Sequence, residues 1–198
     1  MRTATQYIAI TALAAATVSC GDVVREGRSP VIMTVASLTA GNPASNILHS
    51  DVIRNVTAPP PCSTTSPCPT VFNDSATASL ALSMKNTTVS PTTNNQVQVT
   101  RYHVDYTRAD GRNTPGVDVP YGFDGAATVT IPPNGVQSVS FDLVRHSAKE
   151  ESPLAQLVNS SNFISTIATV TFFGTDTVGN VVSASAQISV TFANYGDQ

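Results

Sequence analysis

Tryptophan is absent from the 198 residues, charged side chains make up only 12% of them, and histidine and cysteine each occur three times. Each shortage removes a class of function. With ten Lys and Arg against thirteen Asp and Glu, the chain has a net charge of −3, so it carries no basic stripe for a phosphate backbone and no polybasic patch for an anionic membrane. Nucleic acid is set aside as a partner. His49, His103 and His146 stand far apart in the chain, and there is no His-Glu-x-x-His, no Gly-x-Ser-x-Gly elbow and no phosphate-cradling glycine loop. The chain is therefore expected not to be an enzyme and to need no cofactor. No apolar run reaches the ~20 residues that crossing a hydrocarbon core takes, so no transmembrane helix is predicted.

What is present begins with an export signal: Arg2 as a short basic region, Ile8 to Val18 as an apolar stretch, then small residues before Cys20. Thr17-Val18-Ser19-Cys20 resembles the lipobox of bacterial lipoproteins, with Thr17 where leucine is commoner. The resemblance implies that Cys20 receives a diacylglyceryl group and becomes the new N-terminus. It also implies a membrane partner reached through that lipid anchor, in a bacterial cell envelope. By resemblance to enterobacterial lipoprotein sorting, in which Asp directly after the cysteine retains the protein at the inner membrane, Gly21 implies the outer membrane. The alternative is an ordinary secretory peptide that leaves Cys20 as a thiol. The expected organisation is a signal peptide over 1–19, a lipidated N-terminus and polar tether over 20–29, and one domain over 30–198.

Cys62 and Cys68 lie in "PPPCSTTSPCPT", a proline-rich stretch with no strand or helix pattern. In an oxidising compartment they are expected to close a small disulfide loop, the alternative being two free thiols. Two cysteines without companion histidines make a poor zinc site.

The remaining pattern is one of strands. In "ATASLALSMK", Ala76, Ala78, Leu80, Leu82 and Met84 alternate with Thr77, Ser79, Ala81, Ser83 and Lys85, the period of two that turns one face to a core. Val97 and Val99 start a strand that Tyr102, Val104 and Tyr106 continue in the opposite phase, which calls for a β-bulge near Thr100. "ATVTIP" and "GVQSVSFDLVRH" are expected to pair as a hairpin around Pro132-Pro133-Asn134-Gly135. "SAKEESPLAQLVNS" is the one helical stretch, with Ser152 as cap and Pro153 at the first helical position. Two long strands follow around Val178-Gly179-Asn180.

This closing pair is similar to the last hairpin of bacterial immunoglobulin-like and fibronectin-III-like domains. The fold expected is all-β, an antiparallel Ig-like β-sandwich of about seven or eight strands with one short helical crossover. The core is expected to contain Leu80, Leu82, Tyr102, Val104, Phe141, Leu143, Val170, Phe172, Ile188 and Val190.

The segment from Asp105 to Gly125, "DYTRADGRNTPGVDVPYGFDG", joins two strands by a connection far longer than a hairpin needs, and long ordered loops are disproportionately functional. It admits three readings. Asp110, Asn113, Asp118 and Asp124 offer oxygen ligands to calcium, although their spacing does not match an EF-hand loop. Alternatively the Asp-Gly pairs make turns and the arginines pair locally. In the third reading Arg108, Arg112 and exposed Tyr121 and Phe123 form a recognition surface for a protein partner in the envelope. The function that follows is a membrane-anchored, non-enzymatic binding or structural module. Its rivals are an accessory subunit of a larger envelope assembly or surface fibre, and a carbohydrate-active or other hydrolytic enzyme on a β scaffold.

Overall fold

The structure is a computed structural model that describes residues 28–41 and 43–196. Ten strands dominate it: β1 (Val31–Ala40), β2 (Ile47–Asp51), β3 (Arg54–Val56), β4 (Cys68–Thr70), β5 (Asp74–Met84), β6 (Val97–Thr107), β7 (Phe123–Ile131), β8 (Val136–Val144), β9 (Phe163–Asp176) and β10 (Val181–Ala193). The chain is all-β. One sheet has the order β1-β5-β8, a second the order β2-β10-β9-β6-β7, and β3 with β4 forms a small ribbon. Among the described residues, the pairings between these strands are antiparallel except that of β2, which runs parallel to β10.

Alternation decides which face of each strand is buried. Ala76, Ala78, Leu80, Leu82 and Met84 are buried along β5, while Ser79 and Ala81 between them are only partly covered and Thr77 and Ser83 face water. On β6 the register slips between Val99 and Arg101 against both neighbours. That bulge at Thr100 lets Val97 and Val99 share the core with Tyr102, Val104 and Tyr106. A slip between Val35 and Ser37 does the same for β1. All ten residues expected in the core are buried. The two sheets meet through aromatic rings: Phe141 of β8 lies with its centroid 4.9 Å from Tyr102 on β6 and 5.3 Å from Phe172 on β9.

Two expectations need correction. β7 and β8 do not pair as a hairpin, since they belong to different sheets. Consecutive Pro132 and Pro133 remove two ladder donors. The turn is instead stitched to β5: the Gly135 carbonyl accepts from Leu82 N at 3.0 Å and Asn134 Oδ1 accepts from Met84 N at 3.3 Å. β8 then continues along β5 from the Ala81–Val136 pair. The helical stretch also splits, into α1 (His146–Lys149) and a separate 3₁₀ turn at Leu154–Leu157. Ser152 caps neither; its hydroxyl accepts from Gln156 Nε2 at 3.1 Å. Leu154 and Leu157 are buried as expected.

The registers sort the connections into two poles. Val31, Met84, Val97, Ile131, Val136, Asp176 and Val181 share one end of the sheets, and Ala40, Asp51, Asp74, Thr107, Phe123, Val144, Phe163 and Ala193 share the other. Residue 30 enters at the first end, where the Pro30 carbonyl accepts from Lys85 N at 2.8 Å and Ser29 bonds to Asp176. The Asp105–Gly125 segment, the β3–β4 ribbon and α1 all lie at the second.

Candidate functional site

The connection from β6 to β7 is tied to itself by its own arginines. Arg108 clamps Asp110 with both arms, Nε to Oδ1 at 3.1 Å and Nη2 to Oδ2 at 2.5 Å, and Arg112 contacts Asp118 Oδ1 at 3.1 and 3.0 Å. Asn113 Oδ1 accepts from Arg108 N at 2.6 Å, closing the first turn. The Thr114 carbonyl accepts from Val117 and Asp118, and Gly116 N donates to the Val119 carbonyl at 2.8 Å. Val119 is buried and plugs the base of the loop into the core. The local turns and arginine pairs of the second sequence reading are thus present.

The same pairs account for the acid strengths. The Arg108 hydrogen bond holds the Asp110 carboxyl below its ordinary value, and Arg101 does the same for Asp124. At Asp118 desolvation pulls the other way, but the Thr114 hydroxyl and N–H, together with Arg112, leave the carboxyl lowered. The four calcium candidates do not converge. Asp110, Asp118 and Asp124 each face a different arginine, Asn113 faces a backbone N–H, and among the described residues no group of three or more His, Cys, Asp or Glu could hold a metal ion.

Of the two aromatic anchors, Tyr121 is 58% exposed and Phe123 is not. Phe123 opens β7 in the inward phase, opposite Val104, with its ring edge-on to Tyr102 at 6.1 Å. Its outer side is covered by the Arg145 guanidinium, 3.9 Å above the ring, which also donates to the Asp124 carbonyl. The exposure expected of Phe123 is overturned because strand phase, not loop position, sets its direction. Tyr121 is solvent-exposed, and the hydroxyl end of its ring lies over Gly116. Gly116 sits at φ +76°, and a Cβ there would collide with that ring.

A recess of about 150 Å³ is lined by Tyr121 and Phe123 together with Arg145, Ser147, Glu151 and Ser152. A larger recess, about 380 Å³, lies at the opposite pole beside Thr87–Pro91. α1 itself is pinned from below. Lys149 is 2% exposed, its Nζ 2.9 Å from Asp74 Oδ2 and 2.8 Å from the Asp51 carbonyl, while Ser50 donates to the same Asp74 oxygen at 2.5 Å. Nothing in "SAKEES" marked this lysine as buried; a single lysine in a polar stretch reads as solvated.

The histidines stay apart. His49 meets Tyr195, His146 meets Asn73, and His103 lies between Asp105, 3.0 Å from Nε2, and Asp124, 3.2 Å from Nδ1. The Cys62–Cys68 disulfide is formed, with Cα atoms 5.3 Å apart, and it closes an exposed loop beyond the β3–β4 ribbon. Cys20 lies outside the described residues.

No family model matches the chain, and no curated protein matches it. Among solved structures it is similar to one described as "X-ray structure of Northeast Structural Genomics Consortium target SoR45", at 13% identity and a TM-score of 0.35, over 84% of this chain and 89% of that one.

Proposed function

We propose that this chain is a bacterial cell-envelope lipoprotein, lipidated at Cys20, whose single Ig-like β-sandwich serves as a non-enzymatic binding or structural module. The observation that carries the reading is the polarity of the connections. The tether enters at one pole of the sheets, and the longest irregular segments gather at the other. An extended tether of residues 20–29 spans roughly 35 Å at most, so a lipid on Cys20 keeps the first pole close to the bilayer and turns the second outward. Two acyl chains suffice for stable anchoring. The strand orders β1-β5-β8 and β2-β10-β9-β6-β7, with an N-terminal strand contributed to each sheet, support the Ig-like description. Gly21 after the cysteine favours the outer membrane.

A binding role fits the outward pole better than catalysis does. Both His103 ring nitrogens face carboxylates, and the other two histidines sit against Tyr195 and Asn73, so no imidazole stands free beside a nucleophile. Arg108 and Arg112 brace the loop that carries Tyr121, the exposed aromatic offered to a protein partner in the envelope.

Two measurements test this. Cys20→Ser should move the protein from the membrane to the soluble fraction; unchanged membrane association with unchanged mass would sink the anchor. Affinity capture from native envelopes with the lipid kept should recover a partner that Tyr121→Ala loses and Lys85→Ala, at the tether pole, keeps. Capture indifferent to Tyr121 would remove the loop from the reading.

A further inference from the structure

Resting on the anchor at Cys20, we propose that the first pole is a seat for a phospholipid surface: with the lipid inserted, the chain tips at Val89 and Val178 enter the interfacial layer of the bilayer. The contact is direct, beyond the nearness that the tether alone imposes.

Charge separates the two poles. The three connections at the first pole, 86–96, 132–135 and 177–180, contain no charged side chain. The connection from β6 to β7 at the other pole holds Arg108, Asp110, Arg112 and Asp118, and the crossover after β8 holds Lys149, Glu150 and Glu151. Among the described residues, Asp176 is the one carboxylate at the first pole, and it is 3% exposed. Its Oδ1 accepts from Val178 N at 3.1 Å and from Asn180 N at 2.8 Å inside the β9–β10 turn. Arg28 and Lys85 are exposed at the same end, and in the tether Asp22 and Glu26 are matched in number by Arg25 and Arg28. An anionic headgroup layer therefore meets no excess of negative charge here, whereas described carboxylates outnumber cations at the other end. Two exposed cations are far fewer than the cluster that binds such a layer unaided. The anchor supplies the binding, and the charge decides which end faces the lipid.

The tips are apolar. The β9–β10 turn points its aspartate inward and its valine outward, so that Val178 is 74% exposed, and Val89 in the 86–96 connection is 52% exposed. One such valine would need no explanation. Ile32 and Val136, opposite Ser83 and Ala81 on either side of β5, are exposed at the same end. Exposed apolar side chains occur at the other pole too, Tyr121 and Phe163 among them, but there they stand amid carboxylates.

The connections are also tied to one another. Thr177 Oγ1 donates to the Asn94 carbonyl at 2.8 Å, Asn134 Oδ1 accepts from Met84 N, and Lys85 N donates to the Pro30 carbonyl, where the tether arrives. The chain that leads to the lipid thus joins the domain beside the uncharged connections. A surface fixed before contact loses little freedom on meeting the bilayer.

The absence of tryptophan makes the test direct. Val89→Trp, Val178→Trp and, at the other pole, Tyr121→Trp each give the chain a single fluorescent reporter. The lipidated chains are reconstituted on vesicles of phosphatidylethanolamine with phosphatidylglycerol, with plain or brominated acyl chains, and recovered by flotation. Emission from Val89→Trp and Val178→Trp should lie to the blue of that from Tyr121→Trp and be quenched several-fold more by brominated lipid, since indole settles in the interfacial layer wherever it can reach it. Adding Val178→Asp to Val89→Trp should remove most of the quenching, with flotation and melting temperature unchanged. Equal quenching of the three reporters, or none in any, in a chain that floats overturns the seat and leaves the anchor standing. A chain that does not float, with Cys20 unmodified by mass, loses the anchor and the seat together. Blue emission from Val89→Trp and Val178→Trp that brominated lipid leaves unquenched, in a chain that light scattering shows to be dimeric, would assign the surface to a second copy and overturn the lipid.

Discussion

Lys149 Nζ lies 2.9 Å from Asp74 Oδ2 inside the protein, joining the crossover that follows β8 to the first residue of β5. The ammonium also donates to the Asp51 carbonyl at the end of β2, so one side chain ties α1 to both sheets at the second pole. Removing one member of such a pair strands the other in a low dielectric. Lys149→Ala should cost about 3–5 kcal/mol in chemical denaturation, whereas the double change Lys149→Met with Asp74→Leu should cost far less. Equal losses in the single and double variants would show that packing, not the ion pair, is what Lys149 contributes.

The Tyr102, Phe141 and Phe172 rings meet between the sheets, with Phe141 and Phe172 at a T-shaped 87°. Phe172→Ala should lower stability by about 3–5 kcal/mol and Phe141→Ala by a similar amount. Because the two rings touch, the double variant should cost less than the sum. Additive losses would mean the sheets pack independently at this point.

Alkaline pH should be destabilising through buried phenols. Tyr106 donates to the Leu143 carbonyl at 2.5 Å, and burial, reinforced by the charge of Asp74, raises its pKa far above the ordinary 10.0. In the unfolded chain the phenol ionises near pH 10, so its contribution is complete below that pH and is lost progressively above it. The denaturation midpoint should fall steeply above pH ~10. Tyr106→Phe should lose about 1 kcal/mol at neutral pH and then fall less steeply, the remaining slope coming from Tyr102 and Tyr195, which burial also raises. Parallel curves for variant and wild type would count against Tyr106.

At the acid end the sign reverses. Against an opposing desolvation, hydrogen bonds from Asn180, Ser29 and Val178 hold Asp176 below its ordinary 3.8. Its contribution is present above that value and is lost as pH falls below it. Asp176→Ala should therefore destabilise at pH 7 and converge with the wild type in strong acid, as read by thermal unfolding across the pH range. A constant gap would assign the loss to turn geometry alone.

Reduction of Cys62–Cys68 should have a small, local effect. The loop it closes spans a sequence separation of six, for which the chain-entropy contribution is on the order of 2 kcal/mol. Hydrogen exchange should quicken across 57–67 and stay unchanged in β9 and β10. Loss of protection in those strands would show that the ribbon supports the core.

Period-two alternation made the faces of β5, β6 and β10 legible in the sequence, because a strand with one wet side must segregate its residues whatever it pairs with. The phase change at Val99–Tyr102 likewise announced the bulge at Thr100 before any neighbour was known. Of the candidate site, the long polar connection, its local arginine pairs and the exposure of Tyr121 were legible, and the direction of Phe123 was not. Partner choice lies outside such local patterns. β8 leaves β7 because Asn134 and Gly135 find donors on Leu82 and Met84, some fifty residues earlier.

The same holds for the side chains that build the second pole. Phe123 looks like part of a loop and points inward because it pairs opposite Val104; Arg145 becomes a wall of the recess because that ring lies beneath it. Lys149 is buried because Asp51, 98 residues away, and Asp74 present oxygens where it lands. A residue's own neighbours in sequence determined its strand and its face. Which distant groups meet a charge, and so whether that charge can leave water, only the tertiary structure decided, since the desolvation of an ion is offset by partners that no local pattern encodes.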